Sequence, residues 1–394
     1  PPTVQPVLDL KIPISIKNTL DPSAKGTLIS KRITNGSIPV KGISNVNNIA
    51  LLTLQGNGMV GIPGFSKRLF ETLAQEKINV ILITQASSEH SICFGIDVKD
   101  AVIAKTTIDI TFENEISLHK IDPIIVEKDL SIIALIGDNM KNHQGISGKM
   151  FSTLGKNNIN VRAIAQGASE KNISAVVAEK DVKKALNSLH EVFFEGNIKQ
   201  LNVFITGVGN VGEKLVEQIK QQSKYLKDKL KINLRVIGLS NSRTMIFNED
   251  GISLNSWKNQ LAKGEKASLL GFHKVVKTLN LRNSIFVDVT SNSELANLYS
   301  QYLKHSISVV ACNKIACSND YKDYIKLKKL SLKYNAAFLF ETNVGAGLPI
   351  LDTLNNLMAS GDKIMAIKAV LSGSLNFIFN NFDETKRFHD VVKQ

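Results

Sequence analysis

Three glycines near the middle of the chain have the spacing of a loop that binds a dinucleotide. They occur in Gly207-Val208-Gly209-Asn210-Val211-Gly212, after an apolar stretch and at the start of a long amphipathic one. In such a strand–turn–helix unit, the first glycine permits the tight turn and the second lets the backbone approach a pyrophosphate. The third allows the helix to pack closely on the strand. The pattern predicts dinucleotide binding; the alternative is a glycine-rich turn in an unrelated α/β domain.

The residues after the next predicted strand bear on the choice of cofactor. They read Ser240-Asn241-Ser242-Arg243 and contain no carboxylate. A site that prefers NAD places Asp or Glu here to bind the ribose 2′-hydroxyl, whereas an Arg accommodates the 2′-phosphate of NADP. We therefore expect Asn241, Ser242 and Arg243 to contact the cofactor and expect NADP. The alternatives are NAD and a surface role for Arg243.

Two glutamines occupy equivalent positions of an internal repeat. When the chain is aligned with itself at an offset of 81 residues, Ile78-Asn79-Val80 matches Ile159-Asn160-Val161, and Gln85 matches Gln166. Two copies are too few for a solenoid, so the repeat indicates a duplicated small domain. The glutamines stand at polar strand ends. The residues alone leave two interpretations open: a binding site between two similar domains, or two ordinary hairpin turns.

The cysteines and histidines predict neither a disulfide framework nor a metal site. Three cysteines in 394 residues fit a reducing compartment, as in the cytoplasm. Cys312 and Cys317 have no second cysteine pair and no nearby histidine, so we expect buried free thiols.

The hydrophobic pattern predicts the elements that position these residues. Each copy of the repeat reads strand–helix–strand–strand–helix, which is most of a βαββαβ sandwich. After residue 200, apolar strands alternate with helices, as in a doubly wound α/β domain. The predicted strands are 49–54, 79–84 and 91–96 in the first copy, 131–136, 160–165 and 173–178 in the second, and 201–206, 234–240, 285–289 and 307–311 thereafter.

The net charge of +13 raises the question of a polyanionic partner. Only seven of the 48 basic residues are Arg, the side chain preferred for bidentate phosphate and guanine recognition. No nucleic-acid-binding motif is present either, so the excess charge indicates a lysine-rich surface rather than binding to nucleic acid. No apolar run reaches the length of a membrane helix, so we expect no membrane partner.

Taken together, these motifs make the chain similar to the bifunctional aspartate kinase–homoserine dehydrogenases. The two repeats resemble the paired ACT domains of that family, and the glycine loop resembles that of its dehydrogenase. Two of the other matching segments, those that begin at Glu341 and Leu371, are specific to this dehydrogenase. The matching segments are Ile12–Thr27 at the exit of the kinase domain, VDVTS at 287–291, CNK at 312–314, ETNVGAGLP at 341–349, and LSGSLNFIF, with its LSGSL strand, at 371–379.

The resemblance implies a mixed fold of α/β and α+β domains. Tandem ACT-like βαββαβ domains precede a Rossmann-type domain and the start of an α+β catalytic and dimerisation domain. The expected divisions are 1–40 for the kinase exit, 41–120 and 121–196 for the ACT domains, 197–340 for the NAD(P)-binding domain, and 341–394 for the first part of the catalytic domain.

The resemblance also implies an activity and an effector. The dehydrogenase of this family reduces L-aspartate 4-semialdehyde to L-homoserine with NAD(P)H, and the ACT pair binds L-threonine, here through Gln85 and Gln166. Lys314 matches a lysine at the floor of the active site. Further matching residues are Thr290, Ser291 and Lys314 for the cofactor, and Glu341, Val344, Ala346 and Leu348 for a monovalent cation such as Na⁺ or K⁺.

Departures from the family pattern limit what the chain is expected to do by itself. The glycine-rich, lysine-containing start of the kinase, where ATP and Mg²⁺ would bind, has no match. The acidic segment with the catalytic carboxylates and the proton-donating lysine has none either. We therefore expect a fragment of a cytoplasmic, homo-oligomeric enzyme, associated through its ACT and dehydrogenase domains, with low or no turnover. The alternative is an amino-acid-sensing ACT module that acts through association without catalysis.

Overall fold

The computed structural model divides the chain into two compact units. The first contains residues 1–155 and 159–193, and the second contains 156–158 and 194–394. Within the described residues, no helix combines the length and the apolar character needed to cross a membrane. The structure describes residues 6–7, 10–30, 39–85, 90–137, 140, 143–167, 171–195, 198–370 and 372–393.

The first unit contains a short hairpin and a six-stranded antiparallel sheet. The hairpin, β1 (Ile14–Ile16) with β2 (Thr27–Ile29), lies in the segment that resembles a kinase exit. The strand order of the sheet is β4-β5-β3-β6-β8-β7. Its strands are β3 (Gly42–Gln55), β4 (Val80–Gln85), β5 (Ser91–Asp97), β6 (Ile125–Ile136), β7 (Val161–Gln166) and β8 (Asn172–Ala178), and the helices are α1 (Phe65–Gln75), α2 (Ala101–Thr111), α3 (Glu113–Ser117), α4 (Ile146–Lys156) and α5 (Val182–Phe193).

The two central strands are longer than the sequence pattern predicts. We expected strands over 49–54 and 131–136, but β3 begins at Gly42 and β6 at Ile125. They pair with each other along most of their lengths, which joins the two repeats into one sheet. The register shifts between Val46 and Ile49, and Asn48 lies in the left-handed region at φ 58°. This irregular, polar stretch interrupts the alternation, so the pattern concealed the first half of β3.

Both faces of this sheet carry buried side chains. Because successive strand residues point to opposite faces, Leu52 of β3 packs with Leu69 of α1 on the helix side. Leu51 points the other way, into a core that also contains Leu82 of β4 and Ala163 of β7. Side chains from both repeats therefore share the core on the face away from the helices.

The second unit is built on a seven-stranded sheet with the order β12-β11-β10-β9-β13-β14-β15. Five neighbouring strands, β10, β9, β13, β14 and β15, are parallel to one another. β11 and β12 are each antiparallel to the strands beside them. The strands are β9 (Lys199–Thr206), β10 (Ile232–Ser240), β11 (Thr244–Phe247), β12 (Glu265–Lys266), β13 (Ser284–Asp288), β14 (Ser308–Ala311) and β15 (Phe338–Leu339).

Helices cover both faces of the parallel strands, as the doubly wound prediction requires. Phe204 of β9 is buried in the core on one face, and its neighbours Val203 and Ile205 are buried in the core on the other. The chain leaves β9 towards β10 on one side, and β13 continues the sheet on the other side. The helices are α6 (Asn210–Asp228), α7 (Trp257–Ala262), α8 (Leu269–Leu279), α9 (Ser293–Asn297), α10 (Tyr299–Lys304), α11 (Ile315–Ser318) and α12 (Tyr321–Lys333).

After β15, the described residues contain three α-helices joined by loops. These are α13 (Leu351–Ala359), α14 (Gly373–Asn381) and α15 (Phe388–Lys393). The strand expected at LSGSL is wrong for residues 372–375, because Ser372 caps a helix instead: its hydroxyl accepts a hydrogen bond from the Leu375 amide. Leu371 itself lies outside the described residues.

Stability of the second unit should depend on pH through His273 of α8. This half-buried ring packs edge-on against Tyr302, and its Nε2 has no hydrogen-bond partner among the described residues. Burial lowers the pKa of His273, and the nearby His305 and Lys277 lower it further. Below about pH 6.5, the unfolded chain therefore binds a proton that the folded chain resists, and stability falls with falling pH.

We expect His273→Phe to reduce this loss. The measurement is the urea midpoint of unfolding at pH 7.5 and pH 5.5, with the exposed His389→Phe as the control. The midpoint of His273→Phe should fall less between the two pH values than that of the unaltered protein, whereas His389→Phe should behave like the unaltered protein. An equal decline in all three proteins would contradict the assignment.

Candidate functional site

The three glycines of the loop after β9 have three different environments. Gly207 has a φ of 97°, and a Cβ on it would lie 2.6 Å from the carbonyl oxygen of Val289. A Cβ on Gly212 would lie 2.1 Å from the carbonyl oxygen of Gly207, so close helix–strand packing excludes a side chain there. A Cβ on Gly209 would meet no atom within 4 Å. The fold itself therefore demands the first and third glycines, whereas the second borders open space.

Gly209 is also the N-cap residue of α6, and the N-terminus of this helix is available to an anion. No side chain caps this helix end. The first N–H groups of a helix have no partner within it, and the helix dipole places partial positive charge there. Upstream, the Gly207 and Val208 amides both donate to the Ser240 carbonyl oxygen, which holds the loop against β10. Open space beside free N–H groups fits a phosphate or pyrophosphate.

The turn after β10 is organised by Asn241. Its Oδ1 accepts hydrogen bonds from the backbone amides of Arg243 and Thr244, each at 2.7 Å. This turn exposes Ser242 and Arg243. The guanidinium of Arg243 makes no hydrogen bond within the described part of the chain. It is therefore a cation available to a ligand at the carboxyl end of β10.

A fully buried carboxylate, that of Asp288, lies at the end of β13. One of its oxygens accepts a hydrogen bond from the backbone amide of Thr290 at 2.8 Å. The other accepts hydrogen bonds from the Tyr299 hydroxyl and from Nδ2 of Asn313, the latter at 3.1 Å. Its main-chain oxygen accepts from the Cys312 amide. The residue thus ties the loops after β13 and β14 to α10.

Tyr299 remains a hydrogen-bond donor at all ordinary pH values. Burial raises the pKa of Tyr299 well above its usual range, and the negative charge of Asp288 raises it further. The phenol therefore keeps the proton that it donates to the carboxylate.

Asn313 passes this constraint on to Lys314. The side-chain Nδ2 of Asn313 also donates to the Asn292 carbonyl oxygen at 2.9 Å, and its Oδ1 accepts from the Ile315 amide at 3.1 Å. Lys314 is held between these anchors, at the first cap of α11. Its side chain is exposed and makes no hydrogen bond or ion pair within the described residues. The result is an ammonium group on a fixed backbone. It lies at the carboxyl end of β14, the same end of the sheet as the glycine loop after β9.

The loop from Glu341 to Leu348 contains all four residues predicted to hold a cation. The Glu341 carboxylate accepts hydrogen bonds from the Leu351 and Asp352 amides, each at 2.9 Å, and thereby caps α13. Its side chain is therefore committed to the helix, and its backbone oxygen accepts a hydrogen bond from the Val344 amide at 3.4 Å. Within the loop, Ala346 has a φ of 53°.

Asn343 connects this loop to the segment before Lys314, because its side-chain amide nitrogen donates hydrogen bonds to the backbone oxygens of Ala311 and Cys312, at 3.1 and 3.2 Å. Among the described residues, no group of three or more His, Cys, Asp and Glu side chains could hold a metal. Cys312 and Cys317 are free and half-buried, so they are less buried than expected. Burial raises the pKa of the Cys317 thiol.

In the first unit, Gln85 lines a cavity of about 330 Å³ at the N-terminus of α1. Gly64, with a φ of 104°, is the first cap of that helix and has no side-chain cap bond. Apolar side chains cover the other side. The full lining is Met59, Gly61, Ile62, Pro63, Gly64, Phe65, Ser66, Gln85 and Ile92. Free amide groups beside an apolar wall fit a small molecule that carries a carboxylate.

The second copy differs at the equivalent residues. Gln166 accepts a hydrogen bond from the Ser147 hydroxyl at 3.0 Å. The repeat offset maps these residues onto Gln85 and Ser66, which both line the first cavity but are not hydrogen-bonded to each other. The turns after both strands, at 86–89 and 168–170, lie outside the described residues.

Comparison with known families matches segments of both units. Models of an ACT domain match residues 52–112 and 133–193, one of the homoserine dehydrogenase NAD-binding domain matches 207–341, and one of homoserine dehydrogenase matches 349–394. The bifunctional aspartokinase/homoserine dehydrogenase of Haemophilus influenzae is 42% identical over the whole chain. Over its whole length, the chain is therefore similar to the bifunctional aspartokinase/homoserine dehydrogenases. A chloroplastic member from Arabidopsis thaliana is 38% identical over the whole chain.

The chain spans about half the length of those relatives: 48% of the Haemophilus protein and 44% of the Arabidopsis protein. Among solved structures, aspartate kinase from Clostridium acetobutylicum aligns at 28% identity and a TM-score of 0.43. The alignment covers 48% of this chain and 44% of the kinase. The family match confirms a nicotinamide-cofactor domain in the second unit.

Sequence reasoning missed the residues that hold this site together. Asp288 and Asn313 lie within the VDVTS and CNK motifs, where only Thr290, Ser291 and Lys314 were assigned roles. A carboxylate at the end of a buried apolar strand could have signalled Asp288, because a buried charge needs partners. Nothing in the local pattern distinguishes Tyr299 from any other buried aromatic residue of a helix.

We expect Tyr299→Phe to destabilise the second unit by about 1.5–3 kcal/mol, because it removes one hydrogen bond from a buried carboxylate. Tyr302→Phe is the matched control. Tyr302 is just as buried and stacks on Phe286 at 4.0 Å, but its hydroxyl has no hydrogen-bond partner among the described residues. Loss of the Tyr302 hydroxyl should leave the free energy of unfolding unchanged or raise it. The measurement is the free energy of urea unfolding, and equal values for the two variants would refute the role assigned to Asp288.

Proposed function

We propose that this chain carries the dehydrogenase cofactor site and the threonine-sensing module of a homoserine dehydrogenase joined to an aspartate kinase. The reaction is the reduction of L-aspartate 4-semialdehyde to L-homoserine with NADPH. The proposed divisions are 41–120 and 121–196 for the ACT domains, 197–340 for the cofactor domain, and 341–394 for the first part of the catalytic domain. The observation that carries the proposal is the open cradle at Gly209, at the same carboxyl end of the parallel strands as the Lys314 loop.

The cofactor would be held by residues of three loops at the carboxyl ends of β9, β10 and β13. The amides of residues 207–212 suit its pyrophosphate, Arg243 suits a 2′-phosphate, and Thr290 with Ser291 suits the nicotinamide ribose. When bound, the nicotinamide cofactor supplies the hydride that reduces the aldehyde. Since an Arg at this position accommodates a 2′-phosphate, NADP is the preferred form.

Lys314 is the proposed catalytic residue of the described chain. Its Nζ can donate hydrogen bonds to the carbonyl oxygen of the substrate and stabilise the negative charge that develops there during reduction. Asn313 and Asp288 fix the backbone from which this side chain extends. Because this backbone is already fixed, less conformational entropy is lost when the ammonium group is oriented towards the substrate.

A monovalent cation is proposed for the loop from Glu341 to Leu348. The ligands would be backbone oxygens of Glu341, Val344, Ala346 and Leu348, which suit Na⁺ or K⁺ because hard cations prefer oxygen. The committed carboxylate of Glu341 supports this assignment, since a neutral donor set matches a single positive charge. The cation would stabilise the loop that Asn343 connects to the Lys314 segment.

The proposed effector is L-threonine. Its carboxylate would meet the N-terminus of α1, and its ammonium group would meet the side-chain oxygen of Gln85. Its short side chain would pack beside Ile92 and Met59. Gln166 would bind the ammonium group of threonine in the second copy, where its hydrogen bond with Ser147 would first break. ACT domains and aspartokinase relatives support small-molecule binding and a homo-oligomer. Aspartate kinase activity, with ATP and Mg²⁺, would belong to the whole enzyme in the cytoplasm.

Gly209→Ala should leave the fold intact and weaken NADPH binding at least about tenfold. The added methyl group has room in the protein, as the 4 Å clearance shows, but it would occupy the space of the pyrophosphate. Binding is measured by the fluorescence of NADPH, with melting temperature as the check on folding. The matched control is Gly148→Ala in α4, where a Cβ also meets nothing within 4 Å.

The same titration with Arg243→Ala identifies the preferred cofactor. NADPH affinity should fall at least about tenfold while NADH affinity stays the same, because only NADPH has a charge for the guanidinium to pair with. Unaltered NADPH binding in both variants would remove the basis of the proposed site.

Gln85→Ala should weaken threonine binding by about tenfold, because it removes a hydrogen bond to a charged group. Isothermal calorimetry measures the dissociation constant. The control is the exposed Gln75→Ala at the end of α1, which should bind like the unaltered chain. Gln166→Ala tests the second copy, where the bond with Ser147 must first break. If neither Gln85→Ala nor Gln166→Ala changes binding, the effector assignment is wrong.

A further inference from the structure

A small cavity in the second unit shares no residue with the cofactor loops. Its volume is about 140 Å³, below the range of about 300–1,000 Å³ that is typical of pockets for drug-sized ligands. Helices α9 and α10 line one side of it, and α11, α12 and the turn between them line the other. The cavity therefore suits a ligand with few atoms that contacts both sides at once.

The floor of the cavity belongs to the packed core of the domain. Ala296, Ala316 and Leu327 line it, and their exposed fractions are only 6%, 5% and 7%. All three are part of the same buried cluster. Because the two alanines lie on facing segments, no large side chain fills the space between them. The recess is therefore shaped by buried residues as well as by surface side chains.

Five polar side chains line the cavity, and none of them makes a hydrogen bond or an ion pair within the described part of the chain. They comprise two amides, a hydroxyl, a carboxylate and an ammonium group, and each of them has its full capacity left for a ligand. These residues are Asn297, Ser300, Asn319, Asp323 and Lys326.

The two charged groups of this set have opposite sign and do not pair with each other. Asp323 and Lys326 are three residues apart on α12, so they are neighbours on the helix surface. Elsewhere in the chain, Asp383 and Lys386 have the same order and spacing and form an ion pair at 3.8 Å. At the cavity, a negative and a positive charge instead stay separate, beside one another.

This pair of charges selects the class of ligand. A simple anion would be attracted by Lys326 but repelled by Asp323, and a simple cation would meet the reverse. A molecule that carries both charges a few ångströms apart gains a charge-assisted hydrogen bond at each end. The ammonium and carboxylate groups of an α-amino acid have this arrangement.

We propose that the cavity binds a small zwitterionic α-amino acid with a polar side chain. Asp323 binds its ammonium group, and Lys326 binds its carboxylate. Asn297, Ser300 and Asn319 hydrogen-bond to its side chain. This site is separate from the threonine site proposed at Gln85, which lies in the other unit.

The position of the cavity gives its ligand a route to the candidate active site. Helix α11 begins directly after Lys314, and α9 begins two residues after Ser291. A ligand that contacts both sides of the cavity would hold these two segments together. Occupancy therefore stabilises the helices that follow the Ser291 and Lys314 loops.

The first test is calorimetric titration with L-serine. The protein is the full chain carrying Gln85→Ala and Gln166→Ala, so that the proposed threonine sites do not contribute. In this background, Asp323→Asn and Lys326→Gln should each weaken L-serine binding at least about tenfold, because each removes a hydrogen bond between charged groups. Both residues are exposed, so the variants should fold.

The matched controls for this titration are Glu294→Gln on α9 and Lys329→Gln on α12. Both residues are exposed and neither lines the cavity. They make the same changes of charge and should bind L-serine like the background protein. Equal loss of affinity in the control and cavity variants, or no binding of L-serine to the background protein, would overturn the proposal.

Modified ligands test whether both charges are recognised. L-Serinamide lacks the carboxylate, and N-acetyl-L-serine lacks the ammonium group. Each should bind at least about tenfold more weakly than L-serine, because each leaves one charge of the cavity without a partner. Binding of N-acetyl-L-serine as tight as that of L-serine would show a plain anion site and contradict the zwitterion assignment.

Hydrogen–deuterium exchange locates the bound amino acid. L-Serine should slow exchange in residues 296–300 and 316–327 of the background protein. The same concentration should have no effect on these segments when Asp323→Asn and Lys326→Gln are combined. Slower exchange confined to residues 39–193 would place the ligand in the first unit and overturn the proposal.

Discussion

The buried carboxylate of Asp288 is the interaction on which the candidate site depends. Transfer of a charged group from water into a protein interior is strongly unfavourable unless hydrogen bonds replace the lost water. Here the donors come from three segments: the Thr290 amide, the Tyr299 hydroxyl and the Asn313 side chain. Each donor that satisfies the charge is thereby fixed in place. The loop after β13 and the Lys314 loop after β14 are therefore positioned by one electrostatic requirement.

In the first unit, two repeats with the same fold have different outer surfaces. The two repeats share one sheet and equivalent buried helix positions, yet their outer surfaces differ. Gln85 borders a cavity, whereas Gln166 is hydrogen-bonded to Ser147. The exposed face of α2 is apolar where that of α5 is polar. Duplication thus preserved what packing requires and left the copies free to differ in what they bind.

The sequence predicted the fold class and the glycine loop because both depend on local patterns. Strand periodicity and glycine spacing are properties of neighbouring residues. The limits of β3 were missed because its first half carries the irregular register near Asn48. The role of Tyr299 was missed because it depends on a contact with Asp288, 11 residues away in the chain. Ser372 caps a helix where a strand was expected, through a hydrogen bond from the Leu375 amide that the strand pattern does not reveal.

The measurement that tests this account most directly is hydrogen–deuterium exchange of the full chain carrying Asp288→Asn. An amide has one acceptor oxygen where the carboxylate has two, so it cannot satisfy all three donors. The account predicts faster exchange in both 289–292 and 312–316, with no change in the interior of β9. Unchanged exchange in both loops, or an effect confined to one of them, would contradict the claim that a single buried charge holds the site together.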